Sequence, residues 1–315
     1  MAWTSYYRGD GQPREEAEPP LPPSPPWREF PRPDVAEGRL FQPPEGLVEA
    51  VNAALSLRRP LLVTGMPGSG KSTLIESVAS ELKLGAPLRW HITSRSTLTD
   101  SLYRYDVLGR IHAQQFAQLS GAPVEDSIAD FLQLGPLGAA LAPTERPRAL
   151  LIDEIDKSDL DLPSDLLDVL ERGEFRIPEL TRHQDQRVSI RESDAAITHE
   201  IVDGRVRCTN FPFIVMTSNG ERDFPAAFLR RCVRFRMPPI NEEMLARIVE
   251  AHLDAATAAR VSELISQFAR DVGAGRSLAT DQLLNAVFLL TGADPEDAAA
   301  RERLTGLLLR DLSDA

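Results

Sequence analysis

The chain has 315 residues, enough for one large domain and a small one, and its hydrophobic share of 42% and charged share of 26% are ordinary for a globular protein. A formal net charge of -12 and a pI near 5.0 work against a broad electrostatic footprint for nucleic acid or an anionic membrane. Cys208 and Cys232 lack disulfide or zinc spacing, no apolar run nears the roughly 20 residues of a membrane span, and acid and proline stand where a signal peptide would be apolar, so a cytoplasmic protein with no membrane partner is expected.

Residues 1–37 form a proline-rich arm. Between Gln12 and Pro44 lie eleven of the 25 prolines, with little aliphatic content, so this segment cannot build a core. Trp3, Tyr6, Tyr7 and Trp27 leave two readings open: a loose tail, or a strap lying on the domain or on a neighbouring subunit.

From residue 38 to 240, short β-rich apolar runs alternate with helical patterns, which predicts an α/β domain with a parallel sheet flanked by helices. Leu47–Leu57 has helical period, and Leu61-Leu62-Val63-Thr64 reads as a strand buried on both faces. Next comes Gly65-Met66-Pro67-Gly68-Ser69-Gly70-Lys71-Ser72, the G-x-x-x-x-G-K-S pattern, leading into a helix that runs to Leu82. Glycines let backbone N–H groups turn toward phosphate oxygens, the lysine reaches the β/γ-phosphates, and the hydroxyl ligates Mg²⁺. Gly65, Pro67, Gly68, Ser69, Gly70, Lys71, Ser72 and Thr73 are therefore the candidate nucleotide-binding set, aided by the positive end of the helix.

A second strand is expected at Leu88–Ile92, followed by an insert from Thr93 to Gln118, a helical stretch at Ser127–Phe131 and a strand at Ala149–Ile152. Asp153 and Glu154 end that strand, where ligands of open α/β sheets bind. Asp153 is the candidate partner of Ser72 in holding Mg²⁺, and Glu154 the candidate that orients and polarises water. A helix is expected over Ser164–Glu171. Asp203-Gly204, flanked by Ile201, Val202, Val206 and Arg207, marks a hairpin turn within an insert from Val188 to Cys208. Phe213–Thr217 reads as a further strand, and Asn219 just beyond it is placed to bridge a γ-phosphate and the attacking water. A short helix then ends at Arg230-Arg231, and a guanidinium stabilises phosphoryl transfer, often in trans.

In this order and spacing, the phosphate loop, Leu-Leu-Ile-Asp-Glu, Thr-Ser-Asn and Phe-Leu-Arg-Arg resemble the AAA+ ATPases. The lead-in from Gly46-Leu47-Val48-Glu49-Ala50-Val51 to Arg59-Pro60-Leu61 and the two inserts resemble the MoxR family within them, over about residues 38 to 290. The resemblance implies an ATP- and Mg²⁺-dependent enzyme forming a homo-oligomer, a hexameric or other ring with nucleotide at subunit interfaces. Asn219 would be sensor 1, and Arg231 the arginine finger of a neighbouring site, with Arg230 as the other choice. It also implies inserts that face substrate or partner, a von Willebrand factor A-domain protein as the usual partner, and chaperone-like remodelling of a protein client.

From Asn241 to the end at residue 315 the strand signal vanishes. Asn241 caps a helical run through Ile248, and Val261–Phe268 and Thr280–Leu290 keep helical period, which predicts a small all-helical lid domain. There the family places Gly-Ala-Ser-Pro-Arg, whereas this chain has Gly273-Ala274-Gly275-Arg276-Ser277-Leu278-Ala279-Thr280, and Arg276 is the candidate sensor 2. A nucleotide-controlled scaffold with little turnover is the alternative function, and a nucleic-acid translocase is disfavoured by the acidic charge.

Overall fold

The computed structural model describes residues 24–28, 40–120, 127–192, 197–292 and 298–311. Trp3, Tyr6 and Tyr7 lie outside the described residues. In chain order the strands are β1 (Leu61–Thr64), β2 (Leu88–His91), β3 (Tyr103–Tyr105), β4 (Leu132–Leu134), β5 (Ala149–Asp153), β6 (Glu174–Arg176), β7 (Arg187–Glu192), β8 (Thr198–Val202), β9 (Arg205–Arg207), β10 (Phe213–Ser218) and β11 (Val233–Arg236).

Five of them form a parallel sheet in the order β11-β1-β10-β5-β2. The expected strands at 61–64, 88–92, 149–152 and 213–217 are all in it. Leu61, Leu62, Val63, Leu150, Leu151, Ile152, Ile214 and Val215 are at most 1% exposed, as sequences buried on both faces of a parallel sheet must be. The fifth strand was not anticipated: Val-Arg-Phe-Arg alternates half-buried with exposed at the sheet edge. Register pairs Thr64 with Ser218, Met216 with Ile152 and Asp153 with His91, so four strands end along one rim. Backbone bonds carry that alignment past the strands, from Gly65 N to Ser218 O (3.2 Å) and from Ile92 N to Asp153 O (2.9 Å).

The helix Thr73–Leu82 buries Leu74, Ile75, Val78 and Ala79, and the helix Leu162–Arg172 buries Leu162, Leu166, Leu167 and Leu170. The expected helical stretch at 127–131 is a 3-10 turn over Ile128–Phe131.

A second sheet, β3-β4-β7-β8-β9-β6, was not foreseen as such. Its hairpin β8–β9 turns at Asp203 and Gly204, both at positive φ (52° and 64°), the mirror-image turn that the Asp-Gly pair favours. β7 and β8 alternate buried and exposed residues. Leu132, Leu134, Phe175, Val188, Ile190, Ile201 and Val206 thus join Leu150, Ile152, Ile214 and Met216 in one hydrophobic core. Glu192, 3% exposed, ties the sheets together: it takes Arg148 Nη1 just before β5 (2.8 Å) and His199 Nε2 on β8 (2.8 Å).

Both sheets belong to a compact unit of residues 43–65 and 71–237. The described residues of the other unit are 24–28, 40–42, 66–70, 238–292 and 298–311. In that unit Asn241 Oδ1 accepts from Met244 N (2.8 Å) and starts the helix Glu242–His252, and further helices span Ala255–Arg260, Ser262–Gly273, Thr280–Gly292 and Ala298–Leu308. Leu245, Val249, Ile265, Phe268, Leu283 and Val287 form its core. Trp27 docks on it, donating from Nε1 to Asn285 Oδ1 (3.0 Å) and meeting Phe288 and His252 edge-on. Of the two readings of the arm, the strap describes this residue.

Candidate nucleotide site

At the rim of the parallel sheet, four sequence-predicted residues come together. Lys71, 7% exposed, donates from Nζ to Gly65 O (2.8 Å) and to Asn219 Oδ1 (2.9 Å). Ser72 Oγ donates to Asp153 Oδ1 (2.8 Å). Burial pushes the Lys71 ammonium below its ordinary pKa, and the carboxylates of Asp153, Asp156 and Glu154 oppose that.

A residue whose role the sequence did not announce organises the acidic pair. Thr217, 1% exposed on β10, donates from Oγ1 to Asp153 Oδ1 (2.5 Å) and accepts from the Glu154 N–H (3.0 Å). Glu154 stands at φ 59°, ψ 47°, a left-handed conformation that costs a non-glycine residue about 1–2 kcal/mol, and the bond to Thr217 helps to hold it there. Its carboxylate meets Lys157 Nζ at 2.8 Å, and His91 Nε2 stands 3.6 Å away. That pairing with Glu154 raises the Lys157 pKa. Beyond the acidic pair, Asp156 takes the backbone N–H groups of Asn219 (3.0 Å) and Glu221 (3.1 Å) on Oδ2. Position in the strand ladder would have flagged His91, the register partner of Asp153; Thr217 opens the Thr-Ser-Asn motif, but the motif gives it no role of its own, and nothing in the local pattern flags Asp156.

The phosphate loop itself, 66–70, groups with the helical unit. Gly68 and Gly70 have φ of +71° and +81°, and a Cβ at Gly68 would lie 2.8 Å from Ala279 Cβ and from Thr280 N, so only glycine fits there. The same construction at Gly70 meets the Phe41 ring at 3.2 Å. Ser69 Oγ and Thr280 Oγ1 are buried and have no hydrogen-bond partner among the described residues. Pro67 is exposed on the loop, and Thr73 opens the helix behind Ser72.

Of the arginines assigned by resemblance, Arg231 and Arg276 have guanidinium groups engaged locally. Arg231 pairs through Nε with Glu171 and bonds Ala227 O through Nη1 (3.2 Å), while the Arg230 carbonyl accepts from Arg59 Nη1 (3.1 Å). Arg276 spends its guanidinium within the helical unit, on Asp271 Oδ2 (2.6 Å) and Leu309 O (3.0 Å).

The donors suit the expected ligands. Ser72 and Asp153 offer adjoining hard oxygens, the kind Mg²⁺ takes, and the three carboxylates of Asp153, Glu154 and Asp156 face two lysines, Lys71 and Lys157, a local excess of negative charge that a divalent cation offsets. The orphaned hydroxyls of Ser69 and Thr280 and the glycine backbone suit phosphate oxygens.

Among solved structures, the chain is similar to a RuvB mutant from Thermotoga maritima, at 14% identity over 83% of this chain and 67% of that one with a TM-score of 0.40. It is also similar to NtrX from Brucella abortus in complex with ATP, at 13% identity over 84% of this chain and 54% of that one with a TM-score of 0.39. No curated protein matches the chain. The family model for the AAA domain (dynein-related subfamily) matches residues 60–232, more than half of the chain. The sequence thus belongs to the dynein-related AAA domain family, and it is an AAA+ ATPase with the P-loop fold of a parallel five-stranded sheet flanked by helices and a C-terminal helical region.

Proposed function

We propose that this ATPase is MoxR-like and uses ATP hydrolysis to remodel or assemble a protein client. One observation carries the assignment of its site. Lys71, Ser72, Asp153 and Asn219, from three separate stretches of chain, join by direct hydrogen bonds at the carboxyl ends of β1, β5 and β10.

In this reading Ser72 and Asp153 would hold Mg²⁺, which when bound would supply charge neutralisation at the phosphates. Lys71 would meet the β/γ-phosphates through Nζ. Because a lysine only donates, it must meet Asn219 at Oδ1, which turns the Asn219 NH₂ away from Lys71 as a donor for phosphate or water. Glu154 takes a proton from the attacking water at its carboxylate, and in the present arrangement Lys157 holds one of its oxygens. Arg231 is assigned as the finger of a neighbouring subunit's site in a ring, with Arg230 as the other choice and Arg276 as sensor 2. Reaching a neighbour requires Arg231 to leave Glu171. A von Willebrand factor A-domain protein is the partner class that the MoxR likeness suggests.

The Lys157–Glu154 ion pair favours a second reading, a nucleotide-controlled switch whose turnover stays low until the pair opens. Glu154→Gln, expected to bind ATP without hydrolysing it, is the variant for capturing a client. Retention of a defined protein with ATP but not ADP supports remodelling, and equal retention with both, together with negligible wild-type turnover, supports the switch.

A further inference from the structure

We propose that Asp156 is a positioning residue for hydrolysis, acting through the loop that carries Asn219. The inference rests on the reading of Asn219 as the side chain that engages γ-phosphate and water. Asp156 follows the acidic pair by two residues, in the 3-10 turn Ile155–Lys157, and is 3% exposed. Its Oδ2 accepts from the backbone N–H of Asn219 and of Glu221, while Oδ1 is buried with no hydrogen-bond partner among the described residues.

A buried carboxylate is costly unless paired. The compensation visible around Asp156 is two backbone dipoles and the fields of Lys71 and Lys157. As a device for stability alone that is a poor exchange. Its geometric effect is specific: the two accepted N–H groups flank Gly220, whose φ of 80° turns the chain sharply and whose own N–H goes to Ser218 Oγ (3.0 Å). The loop after β10 is thereby tied to the segment that carries Asp153 and Glu154. Asn219 is held from both ends, its backbone by Asp156 and its side-chain oxygen by Lys71. Releasing the backbone end leaves Asn219 attached to Lys71 but free to swing, and a misplacement of about 1 Å at such a site costs about 100-fold in rate.

The test is a kinetic double-variant cycle on the full chain: wild type, Asp156→Ala, Asn219→Ala and the double variant, with ATP turnover and the affinity of a fluorescent ATP analogue both measured. Asp156→Ala removes the oxygen that accepts both N–H groups and should lower kcat by about 100-fold with affinity changed less than about threefold, whereas Asp156→Asn, whose amide oxygen can accept both, should keep most of the turnover. The double variant should be no slower than Asn219→Ala alone, because both changes act through one side chain. Should Asp156→Ala fail to fold, Asp156→Ser leaves a polar group too short to reach the two donors, and the same fall in kcat is expected. Multiplicative slowing in the double variant, or wild-type kcat in Asp156→Ala or Asp156→Ser, overturns the proposal while leaving the role of Asn219 in place. Wild-type kcat in Asn219→Ala overturns that role and the proposal with it.

Discussion

Thr217→Val exchanges a hydroxyl for a methyl of nearly the same shape at a position 1% exposed, so packing is conserved and only two hydrogen bonds are lost. The bond to Asp153 is made to a carboxylate and contributes about 1.5–3 kcal/mol, and leaving the Glu154 N–H unpaired costs about 1–3 kcal/mol. A combined loss of about 3 kcal/mol corresponds to a fall of about 10 °C in Tm for a domain of this size. The catalytic consequence is larger, since Asp153 and Glu154 lose their shared anchor and kcat should fall about 100-fold. Thr217→Ser is the control: it keeps both bonds and gives up one methyl, about 1 kcal/mol. Urea unfolding and a coupled ATPase assay read the two effects. A valine variant as stable as the serine variant and within twofold of its turnover would refute the reasoning.

Arg231→Ala should lower turnover by about 10³-fold with little loss of nucleotide affinity if the guanidinium serves a neighbour; mixing it with Glu154→Gln subunits should recover part of the activity, and no recovery in confirmed mixed assemblies would place the arginine's action within its own chain. Burial alone would push the Glu192 carboxyl up, but hydrogen bonds from His199 and Arg148 outweigh it and hold the pKa below its ordinary 4.5. The stabilisation is therefore fully present above pH about 4.5 and disappears as pH falls through the lower folded value. Glu192→Gln should cost about 3 kcal/mol at pH 7, with the gap to wild type closing at acid pH in urea melts; a pH-independent gap would contradict this. Trp27→Ala removes an indole hydrogen bond and two edge-on ring contacts and should destabilise the helical unit by about 2 kcal/mol, read by thermal unfolding; an unchanged Tm would mean that Trp27 does not fasten the arm.

What could be read from the sequence follows from where information is local. Leu61–Thr64, Ala149–Asp153 and Phe213–Ser218 are buried on both faces, so composition alone marks them as central strands. Val233–Arg236 escaped because an edge strand needs only one apolar face and two of its four residues are arginines. The second sheet escaped because β3, β4, β6 and β9 are three residues each and find partners far along the chain, as when Glu174–Arg176 pairs with Arg205–Arg207. Asp203-Gly204 and Asn241 were legible since a tight turn and a helix cap depend on residues within three positions. In the site, Lys71, Ser72, Asp153 and Asn219 carry motif spacing, whereas Thr217 and Asp156 matter only through atoms that the sheet register brings within bonding distance. Arg231 and Arg276 have partners in their own chain, and no spacing rule distinguishes an arginine held in reserve from one fixed for packing.

The central claim is that the constellation around Lys71, Asp153, Glu154 and Asn219 hydrolyses ATP. Its most direct test is steady-state ATP turnover of the purified full chain with Mg²⁺, wild type beside Glu154→Gln, with binding of a fluorescent ATP analogue measured on the same samples. Turnover is expected in the wild type, with a loss of at least about 100-fold in the variant and nucleotide affinity within a few-fold in both. A Glu154→Gln variant that binds nucleotide and turns over at the wild-type rate would contradict it.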